Sequence, residues 1–112
     1  MRMMLRITVP TEDGNRGVKD GSLPKAIQDT MCKLKTEAAY FAADQGCRSA
    51  MFFFDMQDTS EIPPIVEPWF LGLNAEAELL PVMNADDLKK GIRRCRRYEW
   101  RSAPDTPGPG LP

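Results

Sequence analysis

Three charged side chains interrupt stretches of sequence that are otherwise typical of β-strands, namely Arg6, Asp55 and Glu78. An arginine in such a stretch can bind the carboxylate or enolate oxygen of a ligand, and a nearby carboxylate can act as the general base. The same charges can instead form a cross-strand ion pair inside a dimer interface. Both interpretations stay open, and Asp55 has a third, as the cap of the turn that follows its strand.

Several uncharged side chains are expected to share the face that carries these charges. We predict a ligand-binding set that consists of Arg6, Thr8, Tyr40, Met51, Phe53, Asp55 and Glu78. Within this set, Tyr40 fits an interface tyrosine with a bonded hydroxyl better than a catalytic acid. Arg6, Asp55 and Glu78 are the catalytic candidates, and no cofactor is expected.

The residue types give little support to metal chemistry. The chain has no histidine, and its three cysteines, Cys32, Cys47 and Cys95, lie far apart without a Cys-x-x-Cys pair. Zinc-site spacing is therefore absent, and free thiols in a reducing compartment are expected. The first residues contain no signal-peptide run, and the longest apolar run, residues 50–54, is far shorter than the ~18 residues that span a bilayer. We expect a soluble, cytoplasmic protein without a membrane partner.

The charges are unevenly distributed along the 112 residues, although their sum is only −1. Residues 1–91 carry a net charge of −4 and residues 92–112 one of +3, from five arginines against Glu99 and Asp105. An arginine-rich end can contact phosphates. The strand at residues 48–55, however, lacks the glycine and two of the aromatics of an RNA-recognition strand. A solvated extension is therefore expected, and a nucleic-acid partner is not.

Periodicity places the candidate residues on secondary-structure elements. Residues 3–9 alternate apolar and polar side chains, which predicts a strand that Pro10 ends. Residues 11–21 are charged and contain three glycines, so a loop is expected there. An apolar stripe then predicts a helix over residues 23–35, with Ser22 as its N-cap.

Residues 36–46 are compatible with two structures. Their alanines favour a longer helix, whereas a strand joined to the next one through Asp44, Gln45 and Gly46 would form a hairpin. The hairpin explains why a turn signal stands directly before residues 48–56, the most strand-like run of the chain. We therefore favour the hairpin.

The next residues carry the signals of a helix start. Asp58 and Ser60 are both candidate caps, and Glu61 completes a capping box if Asp58 is the cap. The apolar residues that follow repeat at helical spacing. Pro68 should kink this helix. A last strand over residues 77–82 then precedes a third helix, which Asn84 caps.

The order β-α-β-β-α-β followed by a helix predicts an α+β, ferredoxin-like domain. We assign this domain to residues 1–91, and residues 92–112 to the basic end of the last helix and a Pro- and Gly-rich tail, disordered after Trp100. One sheet face is uniformly apolar and should meet the helices; it comprises Leu5, Ile7, Val9, Phe41, Ala50, Phe52, Phe54 and Leu79. The opposite face carries the ligand-binding set, and its mixed character marks an interface or a ligand site.

The chain resembles the dimeric α/β-barrel superfamily in four features. These are the order of its elements, the strand end Phe52-Phe53-Phe54-Asp55, the helix around Trp69 and the segment LPVMNADDL at residues 80–88. The resemblance covers residues 3–91, and the superfamily includes muconolactone-isomerase-like and antibiotic-biosynthesis-monooxygenase-like proteins. It implies a homodimer whose two sheets face each other across a two-fold axis, with any ligand between them. The haem-binding branches use an axial histidine, which this chain lacks. Their activity therefore does not carry over, and no catalytic residue of any branch maps onto a position here.

Two functions are compatible with these observations. The first is binding of a small anionic or aromatic metabolite between the two sheets. This function is compatible with a cofactor-independent isomerase or monooxygenase reaction of the bound metabolite. The alternative is a non-catalytic dimerising module, whose polar interior only specifies the partner. The sequence does not decide whether the protein is an enzyme.

Overall fold

The chain has an α+β fold in a computed structural model, which describes the backbone of residues 1–102 and the side chains of residues 1–96. It divides into a unit of Met1–Val82 and a unit of Met83–Pro112. The first unit contains β1 (Arg2–Val9), α1 (Thr11–Asp20), α2 (Ser22–Leu34), β2 (Ala38–Asp44), β3 (Cys47–Asp55), a 3-10 turn (Thr59–Glu61), α3 (Ile62–Leu73) and β4 (Glu76–Pro81).

The second unit contains α4, which covers Ala85–Ser102. Its first turn carries the predicted cap, because the Asn84 side chain accepts a hydrogen bond of 2.8 Å from the backbone N–H of Asp87. α4 continues two residues past Trp100, where the tail was expected to begin. The expected disorder of the remaining tail concerns residues 103–112, which lie outside the described residues.

The four strands form one antiparallel sheet in the order β2-β3-β1-β4. Along the central strand β1, alternate residues are buried and half-buried, beginning with half-buried Arg2. This pattern confirms the two unlike strand faces that the period of two predicts.

The hairpin prediction for residues 36–46 is confirmed. β2 and β3 pair antiparallel from Ala38 opposite Phe53 to Asp44 opposite Cys47. The two loop residues, Gln45 and Gly46, have φ angles of 52° and 79°, as a two-residue turn with the twist of a hairpin requires.

The predicted loop at residues 11–21 is wrong, because this segment forms α1 and ends at Gly21 with a φ of 82°. Gly17, inside α1, allows close packing of the helices. A Cβ on buried Gly17 would lie 2.9 Å from Cδ2 of Leu73 and 3.0 Å from Cβ of Leu23. We therefore attribute Gly17 to helix contact and not to a flexible loop.

Of the caps predicted for the next two helices, the first is wrong and the second is confirmed. Gly21 stands at the N-cap position of α2 and Ser22 is already helical, so the prediction of Ser22 as the cap is wrong. The predicted capping box is confirmed, although it opens the 3-10 turn ahead of α3. The Asp58 carboxylate accepts the backbone N–H of Ser60 at 3.1 Å, and Glu61 accepts that of Asp58 at 2.9 Å.

The core lies between the sheet and the helices. The most deeply buried side chains are Leu5, Ile7, Phe52, Phe54, Trp69 and Leu73. The indole N–H of Trp69 donates to the hydroxyl of Thr30 at 3.0 Å, inside this core. Since buried residues of α2 and α3 join those of β1 and β3 in one cluster, the helices cover one face of the sheet. No helix within residues 1–102 is both long and apolar enough to cross a membrane.

Candidate functional site

The open face is the name used here for the sheet face that turns away from α2 and α3. Its side chains alternate with the core residues and belong to Arg2, Met4, Arg6, Thr8, Ala38, Tyr40, Ala42, Asp44, Cys47, Ser49, Met51, Phe53, Asp55, Glu76, Glu78 and Leu80. All seven residues of the predicted ligand-binding set lie on this face. The period of two therefore places the set as the sequence analysis expected.

Arg6 lies in a row of side chains that crosses all four strands. Its register partners are Met51 on β3 and Glu78 on β4, and Tyr40 on β2 is the partner of Met51. The rings of Tyr40 and Phe53 stand edge-to-face, with centroids 6.2 Å apart and an interplanar angle of 74°. These five residues of the predicted set are thus neighbours on the sheet.

The guanidinium of Arg6 has two carboxylate partners. One nitrogen donates to the carboxylate of Asp44, and Nε lies 3.8 Å from Oε1 of Glu78. The side chains of Arg6 and Asp44 are 38% and 39% exposed, so solvent screens their attraction. Because two negative charges surround one positive charge, an anionic ligand would have to displace a carboxylate to bind Arg6.

Asp44 is a functional candidate whose local sequence indicates only a hairpin turn. It nevertheless follows Tyr40 and Ala42 at the period of two. That spacing places its side chain on the open face, within reach of Arg6. The strand period, extended up to the turn, is the signal that could have found it.

Thr8 lies one step further along the open face, opposite Ser49 on β3 and Glu76 on β4. The hydroxyl of Ser49 donates to the carbonyl of Cys47 at 3.3 Å. Thr8 therefore extends the polar end of the open face beside Arg6.

Asp55 lies apart from the Arg6 cluster. It pairs with Arg2, four residues along β1 from Arg6, a separation of about 13 Å in an extended strand. Its carboxylate accepts hydrogen bonds from the Met1 amino group at 2.7 Å and from the side-chain amide of Gln57. The bond from the Met1 amino group, with its positive charge, lowers the pKa of Asp55 below the ordinary value. This environment weakens Asp55 as a base. Both donors lie outside the peptide N–H groups of the turn, and the residue that caps the turn is Asp58.

A second concave region lies on the helix side of the sheet. A cavity of about 410 Å³ lies between α2 and the hairpin of β2 and β3. Phe41 lines it and is 53% exposed, although it belongs to the face that was expected to meet the helices. Because β2 is an edge strand, the helices cover the centre of this face and leave Phe41 half-covered.

The described part of α4 carries an exposed apolar edge beside its basic side chains. Leu88 and Ile92 are 50% and 52% exposed, and Lys89, Arg93 and Arg96 lie beside them. Leu88 and Ile92 are four residues apart and therefore lie on the same face of α4.

Metal ligation has no geometric basis in the described residues. Among these side chains, no group of three or more His, Cys, Asp or Glu residues is arranged to hold a metal ion. Cys32, Cys47 and Cys95 are free thiols.

Comparison of the chain with protein-family models, with curated proteins and with solved structures found no match. The functional argument therefore depends on the two faces of the sheet themselves.

Proposed function

We propose that the chain acts as a homodimerising module whose subunits close against each other through their open faces. The observation that carries this proposal is the apolar centre of the open face, where Tyr40 and Leu80 are 60% and 40% exposed beside half-buried Met51 and Phe53. A patch of this kind, with a polar surround, is typical of an interaction surface. A two-fold axis through the sheet would bring each patch onto its copy.

The finer architecture belongs to the same proposal. Each subunit is a ferredoxin-like domain, and the pair forms a dimeric α/β barrel, as the resemblance implies. The sheet order β2-β3-β1-β4 with helices on one face supports it. The three free thiols support a reducing, cytosolic location.

The Arg6 cluster favours a structural role over catalysis. Arg6 already has Asp44 and Glu78 as partners, so it lacks the unneutralised charge that an anion clamp needs. Across a two-fold axis, such a network fixes the register of the two copies and disfavours other partners. The polar residues of the open face then specify the dimer.

The size of the sheet sets the expected strength of this dimer. Four strands spaced ~4.8 Å apart, with about six paired residues each at ~3.3 Å, give a projected area of roughly 400 Å². A standard interface buries about 800 Å² of accessible surface per partner. Side-chain relief increases the accessible area above the projected one, so we expect a modest interface that dissociates on dilution.

Sedimentation equilibrium over a dilution series tests the dimer with two glutamate variants. Wild type should approach about 25 kDa, twice the 12.6 kDa of the chain, at the highest concentration. Met51→Glu should stay monomeric, because two like charges would have to be desolvated near the axis. Leu71→Glu is the matched control, since Leu71 on α3 is 82% exposed and lies outside the open face, and it should dimerise normally.

Two results would contradict the proposal. One is a wild-type chain that stays monomeric at every concentration. The other is a dimer that Leu71→Glu dissociates and Met51→Glu does not, which would place the interface on the helices.

A second candidate function is binding of a small anionic or aromatic metabolite between the two sheets. This function is compatible with an isomerase or monooxygenase reaction of the bound metabolite. The Tyr40–Phe53 edge-to-face pair beside Arg6 favours it, because such a pair can contact a flat ring. Benzoate is a suitable probe. A thermal stabilisation by benzoate that Arg6→Ala abolishes, in a chain that still dimerises, would support this function. No shift with either protein would leave the dimerising module as the better account.

A further inference from the structure

The cavity on the helix side of the sheet has apolar walls from several elements. Leu23 and Ile27 of α2 form one wall, Ile7 and Ala50 line the sheet side, and Phe41 and Trp69 complete it. Its volume of about 410 Å³ is within the range of about 300–1,000 Å³ typical of small-molecule pockets. Within residues 1–96, no carboxylate belongs to this lining.

Among the residues whose side chains the structure describes, Arg48 supplies the one charged group of this lining. Its Nη1 donates to the side-chain oxygen of Asn15 at 3.2 Å. No carboxylate of residues 1–96 is within ion-pair distance of its guanidinium. An uncompensated cation beside an apolar cavity is complementary to a ligand that has an anionic head and an apolar body.

We propose that this cavity binds an amphipathic carboxylate, with the carboxylate at Arg48 and the hydrocarbon against Leu23, Ile27 and Trp69. The bidentate fork of an arginine matches a carboxylate in geometry as well as in charge. The exposed half of Phe41 is then covered by the ligand. This site lies on the opposite side of the sheet from Arg6 and does not depend on dimer formation.

Saturated fatty carboxylates of increasing length, from hexanoate to decanoate, are the probes for the full chain. Each added methylene should tighten binding by roughly fourfold as it enters the cavity, until the cavity is filled. Isothermal titration gives the affinities. Amide chemical shifts give the location, which should include Phe41 and Ala43. Decanol should bind more weakly than decanoate, because it cannot pair with Arg48 as an anion.

Two variants of Arg48 test the head group. Arg48→Gln should weaken decanoate binding about tenfold or more, which is the scale of a hydrogen bond to a charged group. Arg48→Lys should retain most of the affinity, since the charge remains. Arg6→Gln is the control on the open face and should leave the affinity unchanged.

Two alanines of β2 test the hydrocarbon site. Ala43 lies on the helix-side face with Phe41 and lines the cavity, whereas Ala38 lies on the open face and is not one of the lining residues. Ala43 is exposed and Ala38 is half-buried at the start of an edge strand, so each should accept a larger side chain without loss of the fold. Ala43→Phe should fill the cavity and remove decanoate binding, and Ala38→Phe should not.

The outcomes that overturn the inference are distinct from failure of the dimer proposal. Absence of decanoate binding to wild type, or equal affinities for wild type and Arg48→Gln, would contradict it. Binding that is lost in Arg6→Gln or Ala38→Phe but retained in Ala43→Phe would place the ligand on the open face instead. The oligomeric state measured with Met51→Glu does not enter any of these results.

Discussion

Adjacent phenylalanines of β3 lie on opposite faces of the sheet and differ greatly in their exposure to solvent. On β3, Phe52 has no exposed surface and packs against Trp69 with ring centroids 6.3 Å apart. Its neighbour Phe53 points to the open face, stays half-buried and contacts Tyr40, which is 60% exposed. The difference arises from α2 and α3, whose buried residues pack on the same side of the sheet as Phe52. An apolar strand therefore does not identify the core; what packs against it does.

The arginines of the two faces differ in their carboxylate partners. Arg6 on the open face is paired with two carboxylates, whereas Arg48 on the helix side donates to the neutral Asn15 side chain. On the open face, which carries the catalytic candidates predicted from the sequence, the charge of Arg6 is thus neutralised by neighbouring carboxylates. The face that was expected to be only core carries the arginine without a carboxylate partner among the described residues.

Truncation of adjacent phenylalanines should give the largest contrast between the faces. Phe52→Ala should cost about 3–5 kcal/mol of the free energy of unfolding, because it leaves a cavity against Trp69. Phe53→Ala should cost about 1 kcal/mol in the monomer, since part of its ring is already in water. Urea unfolding of dilute protein measures both. Equal losses would show that the open face is covered as well as the helix side.

The sequence predicts the helices and strands of this fold better than it predicts which of their surfaces are buried by tertiary packing. Strand alternation placed Arg6, Glu78 and the rest of the predicted set on one face, and turn chemistry at Gly46 identified the hairpin. The buried Gly17 of α1 was misread, because a glycine that permits helix contact has the same sequence signal as one in a loop.

The candidate sites were harder to predict, since they depend on distances between strands and helices. The partnership of Arg6 with Asp44 needs the β2–β3–β1 order, which the local sequence does not encode. The incomplete cover of Phe41 depends on where α2 packs relative to an edge strand. Periodicity gives the face of a residue, but tertiary packing decides what that face meets.

A smaller effect is expected from a buried hydrogen bond that ties α2 to α3. Thr30→Val leaves the indole N–H of Trp69 without its acceptor inside the core, which should cost about 1–3 kcal/mol of unfolding free energy. Thr30→Ser keeps a hydroxyl at this position and is the matched control. Thermal unfolding of the two variants checks the contact. Equal destabilisation by serine and valine would show that the lost methyl group or altered volume matters more than the hydrogen bond.

A substitution of Asp44 tests whether a dimer interface buries the open face. In a monomer, Asp44→Asn should cost only about 0.2–1 kcal/mol, because its ion pair with Arg6 is partly exposed and screened. In a dimer closed on this face, the same change leaves Arg6 less well compensated in a dry interface, and the cost should be larger. Unfolding of wild type and Asp44→Asn at low and high protein concentration checks this. A cost that is independent of concentration, in a protein shown to dimerise, would place Asp44 outside the interface.

The smallest effect concerns the cap that leads into α3, the helix that covers one face. Hydrogen bonds from the side chain and backbone of Ser60 lower the pKa of Asp58, so the folded state favours the ionised carboxylate. This contribution is fully present above the unfolded pKa of about 3.9 and is lost as the pH falls through the lower folded pKa. Asp58→Asn keeps an oxygen acceptor for the cap but cannot titrate. Its melting temperature should therefore fall less than that of wild type when the pH is lowered below about 4. Asp55, whose pKa is also lowered, titrates in both proteins and cancels from the difference. Parallel curves for the two proteins would show that the Asp58 carboxylate is no better stabilised in the folded chain than in the unfolded one.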